Sequence, residues 1–501
     1  MKAVLAITIG FLVWSVSVQT QAQSRIEIPD TAAGKQLQQW LKVFTAGDDV
    51  AYQRFISEHY TASQLKEFDA AYRADRQARI FLDTRGFEIR DIEQSSEQQV
   101  VILAQSALTG LWFRVTMKVE PAPPHRITEY TAQRIPAPAK FPLKKLTQKE
   151  LVTEIRQFMN KLAAADAFSG AVLVAKDGKP IFTTTHGLAS KAYNVPIRLD
   201  TKLNTASVGK MFTAIAIAQL AEQGKLSYTD TVGKHLTDYP NQEVANKVTI
   251  HHLLTHSSGM GDTYSAKYIC FKGVLRQVKD WLKLFMNEPK QLTFEPGARW
   301  SYSNQGFVLL GAIVEKVTGE NFYDYVRKHI FEPAGMVNTG YYEADREVPN
   351  LAMGYTNFED LGEDTYQFHI GERRNTSLYS GARGGPTGGA SSTLDDLMRY
   401  SLAFRGNKLV SAMSVDLLTS TKILARKYDA GQTFWGYGFE LENIAGQRVI
   451  GHGGGDFGIS SGVRWYPDSG NYTLVILSNY DRGGIITIYK LQEMIIYQAP
   501  R

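Results

Sequence analysis

The stretch Ser207-Val-Gly-Lys210-Met-Phe-Thr-Ala-Ile-Ala-Ile-Ala-Gln-Leu-Ala-Glu-Gln-Gly224 decides how the rest of the chain is read. Met211 to Gln223 is a strong helical run, and Gly224 marks its C-terminal cap. Ser207 and Lys210 stand at i and i+3, on one face and about one turn apart. A serine at a helix N-terminus is a poor nucleophile until a nearby base takes its proton. Lys210 and the positive end of the helix can favour the developing alkoxide. The spacing alone does not single out Ser207, because Ser63-Gln-Leu-Lys66 shares it. An N-cap serine followed by a solvated lysine accounts for either match taken in isolation.

Two further motifs lie downstream. Tyr302-Ser-Asn304 sits within Phe294-Glu-Pro-Gly-Ala-Arg-Trp-Ser-Tyr-Ser-Asn-Gln-Gly306. A tyrosine beside a lysine can titrate low enough to act as general base, and an asparagine two residues on can hold the lysine and a substrate amide. Tyr239-Pro-Asn241 and Tyr355-Thr-Asn357 have the same spacing, but only Tyr302 follows a Pro-Gly turn and precedes a long apolar helix, Phe307 to Val314. His452-Gly453-Gly454 lies in Val449-Ile-Gly-His-Gly-Gly-Gly-Asp-Phe-Gly458 and is the only His-Gly-Gly in the chain. Glycines after a strand let backbone approach a substrate and present N–H groups to an oxyanion. The histidine adds a cation or a donor; a glycine-rich hairpin with an exposed histidine is the plainer alternative.

Together with Leu253-Leu-Thr-His-Ser-Ser-Gly259, Phe294-Glu-Pro-Gly297 and Gly388-Gly-Ala-Ser-Ser-Thr-Leu-Asp-Asp-Leu397, the three motifs make the chain resemble the β-lactamase-related serine hydrolases. That group includes class C β-lactamases, DD-carboxypeptidases, esterases and D-aminopeptidases. The resemblance implies that Ser207 is the acylated nucleophile and that Lys210 and Tyr302 share the proton transfers. It implies that Asn304 orients Lys210 and the substrate, and that His452 stands where many members carry the lysine of Lys-Thr-Gly. The oxyanion donors would be the N–H groups of Ser207 and Gly455, with Gly453 and Gly454 lining the same strand. Gly453 replaces the threonine that commonly holds a substrate carboxylate. Losing that donor costs orientation of about 1 kcal/mol or more, which argues for ester or peptide hydrolysis over efficient β-lactam hydrolysis. No separate glutamate base is found, so deacylation would rest on Tyr302 and Lys210.

The rest of the chain frames these motifs. Lys2 and the apolar run Ala3 to Val18, followed by Thr20 and Ala22, read as a signal peptide over residues 1–22, which predicts an exported, periplasmic or secreted protein with no membrane span after cleavage. Helical periodicity from Thr31 to about Ala74, then strand periodicity over Phe87–Ile92, Gln99–Leu103, Leu111–Met117 and Arg126–Tyr130, predict a small α+β domain over residues 23–140. The element order resembles nuclear-transport-factor-2-like domains. The proline-rich, basic stretch Ile135–Lys145 marks a domain boundary, with residues 141–147 as linker to a second domain, residues 148–501. There, a hairpin near Gly170 and strands in Phe434–Leu441, Gly462–Tyr466 and Tyr472–Leu477 flank a helical middle. An antiparallel sheet built from both ends with helices between is an α/β sandwich; the resemblance adds an all-helical subdomain.

The chain has 501 residues, is 44% hydrophobic, and carries a formal charge of +5, which is too mild to imply nucleic acid as partner. Cys270, the only cysteine, excludes an intrachain disulfide framework and is expected to be buried as a small hydrophobe. His251, His252 and His256 lack the following glutamate of a zinc-binding helix, so no metal and no cofactor are expected. Arg383 could reach a substrate carboxylate, though a mobile surface loop is the simpler expectation. The expected function is an exported serine hydrolase acting on a small-molecule or peptide substrate through an acyl-enzyme. The alternatives are a β-lactamase, or a penicillin-binding sensor that acylates without efficient turnover.

Overall fold

The computed structural model describes residues 26–263, 266–288, 290–360, 366–379 and 381–500; the expected leader, residues 1–22, lies outside them. Four helices come first: α1 (Ala32–Ala46), α2 (Asp49–His59), α3 (Ala62–Glu67) and α4 (Ala70–Thr84). Thr31, Asp48, Thr61 and Asp69 each cap one of them by accepting a backbone N–H. An antiparallel meander follows, β1 (Phe87–Ser95), β2 (Gln99–Ser106), β3 (Trp112–Val119) and β4 (Ile127–Ile135), in sequence order. Leu37, Trp40 and Phe44 at helical spacing meet the alternate residues Val100, Ile102 and Ala104 of β2 in one core. The helical part runs ten residues beyond the expected end near Ala74. Ala74, Ala78 and Leu82 continue the buried stripe, but two of the three are alanines, which weaken its apolar signal.

Residues 136–147 contain no helix or strand. Thr147 and Glu150 then form a reciprocal capping box that starts α5 (Gln148–Ala164). The large sheet has eight antiparallel strands. Its first two are β5 (Gly170–Lys176) and β6 (Lys179–His186). A short hairpin, β7 (Phe358–Asp360) and β8 (Tyr366–Phe368), stands apart from it. The remaining six are β9 (Ile423–Tyr428), β10 (Gly431–Trp435), β11 (Glu440–Ile444), β12 (Gln447–Asp456), β13 (Ile459–Tyr466) and β14 (Tyr472–Ser478). The order is β9-β10-β11-β12-β13-β14-β5-β6, so strands from both ends of the segment meet at β14 and β5, as expected.

Both faces of the sheet are covered. Val172 and Val174 of β5 face α5 and α9 (Gly483–Glu493), whereas Ala171, Leu173 and Ala175 face the helical layer containing α6 (Lys210–Glu222), α7 (Asn304–Thr318) and α8 (Leu394–Arg405). This is the expected α/β sandwich with a helical subdomain, preceded by a smaller α+β region.

Two expectations are corrected. Phe434–Leu441 is not one strand: the Gly436 N–H donates to Phe439 O at 2.9 Å and Gly438 has φ +73°, so a tight turn separates β10 from β11. Cys270 is exposed rather than buried, on the short helix Ala266–Phe271. One feature of register sets up the site. β12 pairs with β13 as far as Asp456, but with β11 only as far as Gly451. The backbone from His452 to Asp456 therefore has no strand partner on its outer edge, among the described residues.

Candidate active site

Ser207 lies in a single 3-10 turn, Ala206–Gly209, directly before α6. Ala206 has φ +43°, a left-handed conformation that costs a residue with a Cβ about 1–3 kcal/mol. The surroundings hold it there. Ala206 N–H donates to Asn204 Oδ1 at 2.8 Å, and Gly389 N–H donates to Ala206 O at 3.0 Å. Thr205 N–H donates to Ala390 O at 2.8 Å, and Ser461 Oγ donates to Thr205 O at 2.6 Å. Gly454 of β12 packs against the same turn. A Cβ there would stand 2.3 Å from Thr205 O and 2.4 Å from Ser461 Oγ, so only glycine permits this approach.

Lys210, on the first turn of α6, is fully buried. Its Nζ lies 2.6 Å from Asn304 Oδ1, 2.7 Å from Thr387 O and 3.2 Å from Ser207 Oγ. Burial lowers its pKa to about 7, opposed by the carboxylate of Asp262. A neutral amine has two N–H bonds and one lone pair. The two short contacts go to groups that can only accept, which directs the lone pair at Ser207 Oγ.

Tyr302 hydrogen-bonds the Ser207 side chain, and burial raises its pKa well above the ordinary tyrosine value. The expectation of a low-titrating tyrosine base is therefore corrected. Burial thus moves the two groups in opposite directions, the lysine down and the phenol up. The Lys210 Nζ stands 4.8 Å from the Tyr302 ring centroid, while His256 stacks on the ring at 4.2 Å and Trp435 meets it edge-on at 5.8 Å. His256 is fully buried, and its Nδ1 accepts the Ser303 N–H at 3.0 Å. It thus braces the Tyr302-Ser-Asn304 segment. Asn304 starts α7 behind its Ser303 cap and donates from Nδ2 to Asp262 Oδ1 at 2.9 Å, which leaves Oδ1 turned to Lys210.

His452 is buried and its pKa falls to about 4, chiefly by burial. Its Nδ1 pairs with Gly453 O, a group that can only accept, so Nδ1 carries the proton. Nε2, without a hydrogen-bond partner, is then a free acceptor. The expected cation or donor is corrected to a neutral imidazole that offers a lone pair. Gly453 opens space beneath the strand: a Cβ there would lie 3.4 Å from the Arg464 guanidinium, which is buried and paired with Glu440.

Ser207, Tyr302, Asn304, His452, Gly453, Gly454 and Gly455 line one cleft of about 740 Å³, with Lys210 in its wall. The rival matches go elsewhere. Ser63 bonds Thr61 at 3.0 Å, Tyr239 donates to Gln291 at 2.7 Å, and Tyr355 accepts the Lys191 N–H. Arg383 also lines the cleft, where its Nε donates to Tyr341 O at 2.9 Å and its guanidinium lies 3.6 Å from the centroid of the Tyr323 ring. Sequence reasoning missed Asp262 and the Thr387 carbonyl. Asp262 follows two glycines with no motif spacing, and a carbonyl carries no sequence signal at all. Among the described residues, no group of three or more His, Cys, Asp or Glu side chains could hold a metal ion.

The chain is similar to known proteins over most of its length. The profile of the family described as Beta-lactamase matches residues 154–485. A penicillin-binding protein of Bacillus subtilis (strain 168) is 31% identical over 358 residues, covering 69% of this chain and 76% of that protein. Among solved structures, a penicillin binding protein from Bacillus halodurans aligns at 30% identity and TM-score 0.58, covering 69% of this chain and 99% of that one. A D-stereospecific amidohydrolase from Streptomyces sp. aligns at 26% identity and TM-score 0.53, covering 69% of this chain and 96% of that one. This chain therefore belongs to the beta-lactamase family and is a serine hydrolase that works through an acyl-enzyme.

Proposed function

We propose that Ser207 is the nucleophile, that neutral Lys210 takes its proton, and that Tyr302 relays a proton to the leaving group. The observation that carries this reading is the Lys210 amine. Two fixed acceptors, Asn304 Oδ1 and Thr387 O, leave its third direction to Ser207 Oγ. In acylation Ser207 Oγ forms a bond to the substrate carbonyl carbon and its proton passes to Lys210 Nζ. The carbonyl oxygen becomes an oxyanion that accepts from the N–H groups of Ser207 and Gly455. As the leaving group departs with its electron pair, Tyr302 O–H protonates it and recovers a proton from Lys210. Deacylation runs the same path with water in place of the leaving group. Asn304 holds Lys210 and the substrate, while His452 packs as a neutral ring in the cleft wall beside Gly453.

The substrates of this chemistry are esters, amides or peptides. We assign the protein to ester or D-amino-acid amide and peptide hydrolysis rather than to β-lactam hydrolysis. Gly453 supplies no hydroxyl to hold a β-lactam carboxylate, and the Streptomyces relative is named a D-stereospecific amidohydrolase. The unpaired outer edge of β12 at His452–Asp456 offers backbone groups for an extended peptide to lie alongside. Residues 23–140 we read as an accessory domain of nuclear-transport-factor-2-like type, residues 141–147 as its linker and residues 148–501 as the catalytic domain. Cleavage after Ala22 would deliver the enzyme to the periplasm or the medium.

Turnover of p-nitrophenyl acetate, nitrocefin and peptides ending in D-Ala, by wild type and Ser207→Ala, tests the assignment. Ester or D-peptide turnover should exceed nitrocefin turnover and vanish in the variant. Dominant nitrocefin turnover contradicts the substrate class, and retained activity in Ser207→Ala contradicts the mechanism.

A further inference from the structure

Helix α4 of the α+β region touches the rim of the cleft through one charged face. Asp75, Arg79 and Asp83 follow one another at four-residue intervals, which places them on the same side of the helix. Asp75 Oδ1 accepts the Phe368 N–H at 2.7 Å, and its Oδ2 holds Arg79 Nε at 2.8 Å. The Arg79 guanidinium lies over both aromatic rings of the β7–β8 hairpin, 4.4 Å from that of Phe368 and 5.2 Å from that of Phe358. Phe368 is buried in the core of the α+β region although it belongs to the other half of the chain.

The contacts continue to the site. Phe358 meets Phe457 edge-on at 5.0 Å, and Tyr379 closes on Phe457 from 5.0 Å. Phe457 is at the tip of the β12–β13 hairpin, two residues after Gly455, and lines the cleft. A second path starts at Asp83, which accepts from Arg482 Nε at 2.9 Å and from its Nη2. The neighbouring Asp481 accepts the backbone N–H groups of Gly458 and of Asn357, the latter at 2.7 Å. Both paths from this helix face thus end at the tip of the hairpin, on Phe457 through Phe358 and on Gly458 through Asp481.

We infer that α4 is a positioning element for the hairpin that carries Gly455, so that Asp83 and Arg79 set the rate of the chemical steps rather than the affinity for substrate. The inference rests on the reading of the Gly455 N–H as an oxyanion donor. An oxyanion donor displaced by a few tenths of an ångström loses little in the ground state and much in the transition state.

The test compares wild type with Asp83→Ala, Arg79→Ala and the conservative Asp83→Glu. Lys35→Ala, which breaks an exposed pair with Asp30 in the same region, serves as control. Fluorophosphonate labelling at Ser207 counts intact sites, kcat and KM are measured per labelled site on p-nitrophenyl acetate, and the Ki of 3-aminophenylboronic acid reads the tetrahedral adduct. The expected result is a fall in kcat of about five- to thirty-fold in both alanine variants, with KM within two-fold. The boronate Ki should rise by the same factor, with partial recovery in Asp83→Glu and no change in the control. A kcat and Ki within two-fold of wild type in both alanine variants overturn the inference. So does a rise in KM at constant kcat, or a loss of activity that disappears when rates are expressed per labelled site. Failure of wild type itself to label at Ser207 is a different result, which removes the functional reading on which the inference stands.

Discussion

The Nζ of Lys210 sits closer to Asn304 Oδ1, at 2.6 Å, than to its near neighbour in sequence Ser207, whose Oγ is 3.2 Å away. The distant asparagine therefore fixes the lysine, and the serine receives what is left of its hydrogen-bonding capacity. Asp262 completes the arrangement by taking the Asn304 amide nitrogen, which settles which end of Asn304 faces the lysine. A buried amine held in this way is poised between its charged and neutral forms near neutral pH.

The pH dependence of kcat/KM should follow Lys210. The amine must be neutral to accept the serine proton, and its pKa is about 7. Activity should rise about ten-fold per pH unit below that value and level off above it. His452, neutral above about pH 4, adds no second limb in this range. Lys210→Arg, which cannot deprotonate, should lower kcat/KM by about a thousand-fold or more at every pH. A profile flat from pH 5 to 8 contradicts this role.

Asp262→Asn should shift that limb to lower pH. The carboxylate stabilises the ammonium form of Lys210, so removing its charge lowers the lysine pKa further. Comparing kcat/KM profiles of the two proteins gives the sign, and a shift to higher pH would show that Asp262 does not act on Lys210 by charge.

Lys210→Met should gain stability relative to wild type as pH falls. The lysine pKa is lowered from 10.5 in the unfolded chain to about 7 in the fold, so between these values the unfolded chain binds more protons. Wild-type stability attributable to this group therefore rises with pH across that window and is lowest at and below pH 7. The Tm difference, variant minus wild type, should be larger at pH 7 than at pH 9.5. An equal difference at both contradicts the depressed pKa.

The two glycines after His452 should respond in opposite ways. Gly454→Ala puts a methyl 2.3 Å from the Thr205 carbonyl and forces the strand away from the Ser207 turn, so labelling and turnover should fall at least a hundred-fold, by about 3 kcal/mol. A Cβ at Gly453 meets the Arg464 guanidinium at 3.4 Å and the Ser461 carbonyl at 3.8 Å, both ordinary contacts, so Gly453→Thr should fold with a Tm near wild type. Its new hydroxyl should raise the rate of penicillin acylation relative to ester turnover. Ranking both substrates on both variants checks the pair of outcomes.

Much of this was legible in the sequence because short motifs carry side chains of specific chemistry. Ser207, Lys210, Tyr302, Asn304 and His452 could be picked out, and the sheet assembled from both ends of the segment followed from where strand signals occur. What escaped depended on neighbours distant in the chain. Asp262 acts through Asn304, and Thr387 through a carbonyl that any residue would supply. The protonation states of Tyr302 and His452 follow from burial, which spacing does not report. The turn between β10 and β11 was hidden by the aromatic residues flanking Gly436 and Gly438, and the end of α4 by alanines. The grip of α4 on Phe368 joins residues 293 apart and has no local signature.

The central claim is that Ser207 is the residue acylated. Peptide mapping by mass spectrometry after brief exposure of the wild-type protein to a fluorophosphonate and to a fluorescent penicillin tests it most directly. The account predicts a single stoichiometric adduct on the peptide containing Ser207 with at least one of the two probes, lost in Ser207→Ala. An adduct on any other residue, or none with either probe, would contradict it.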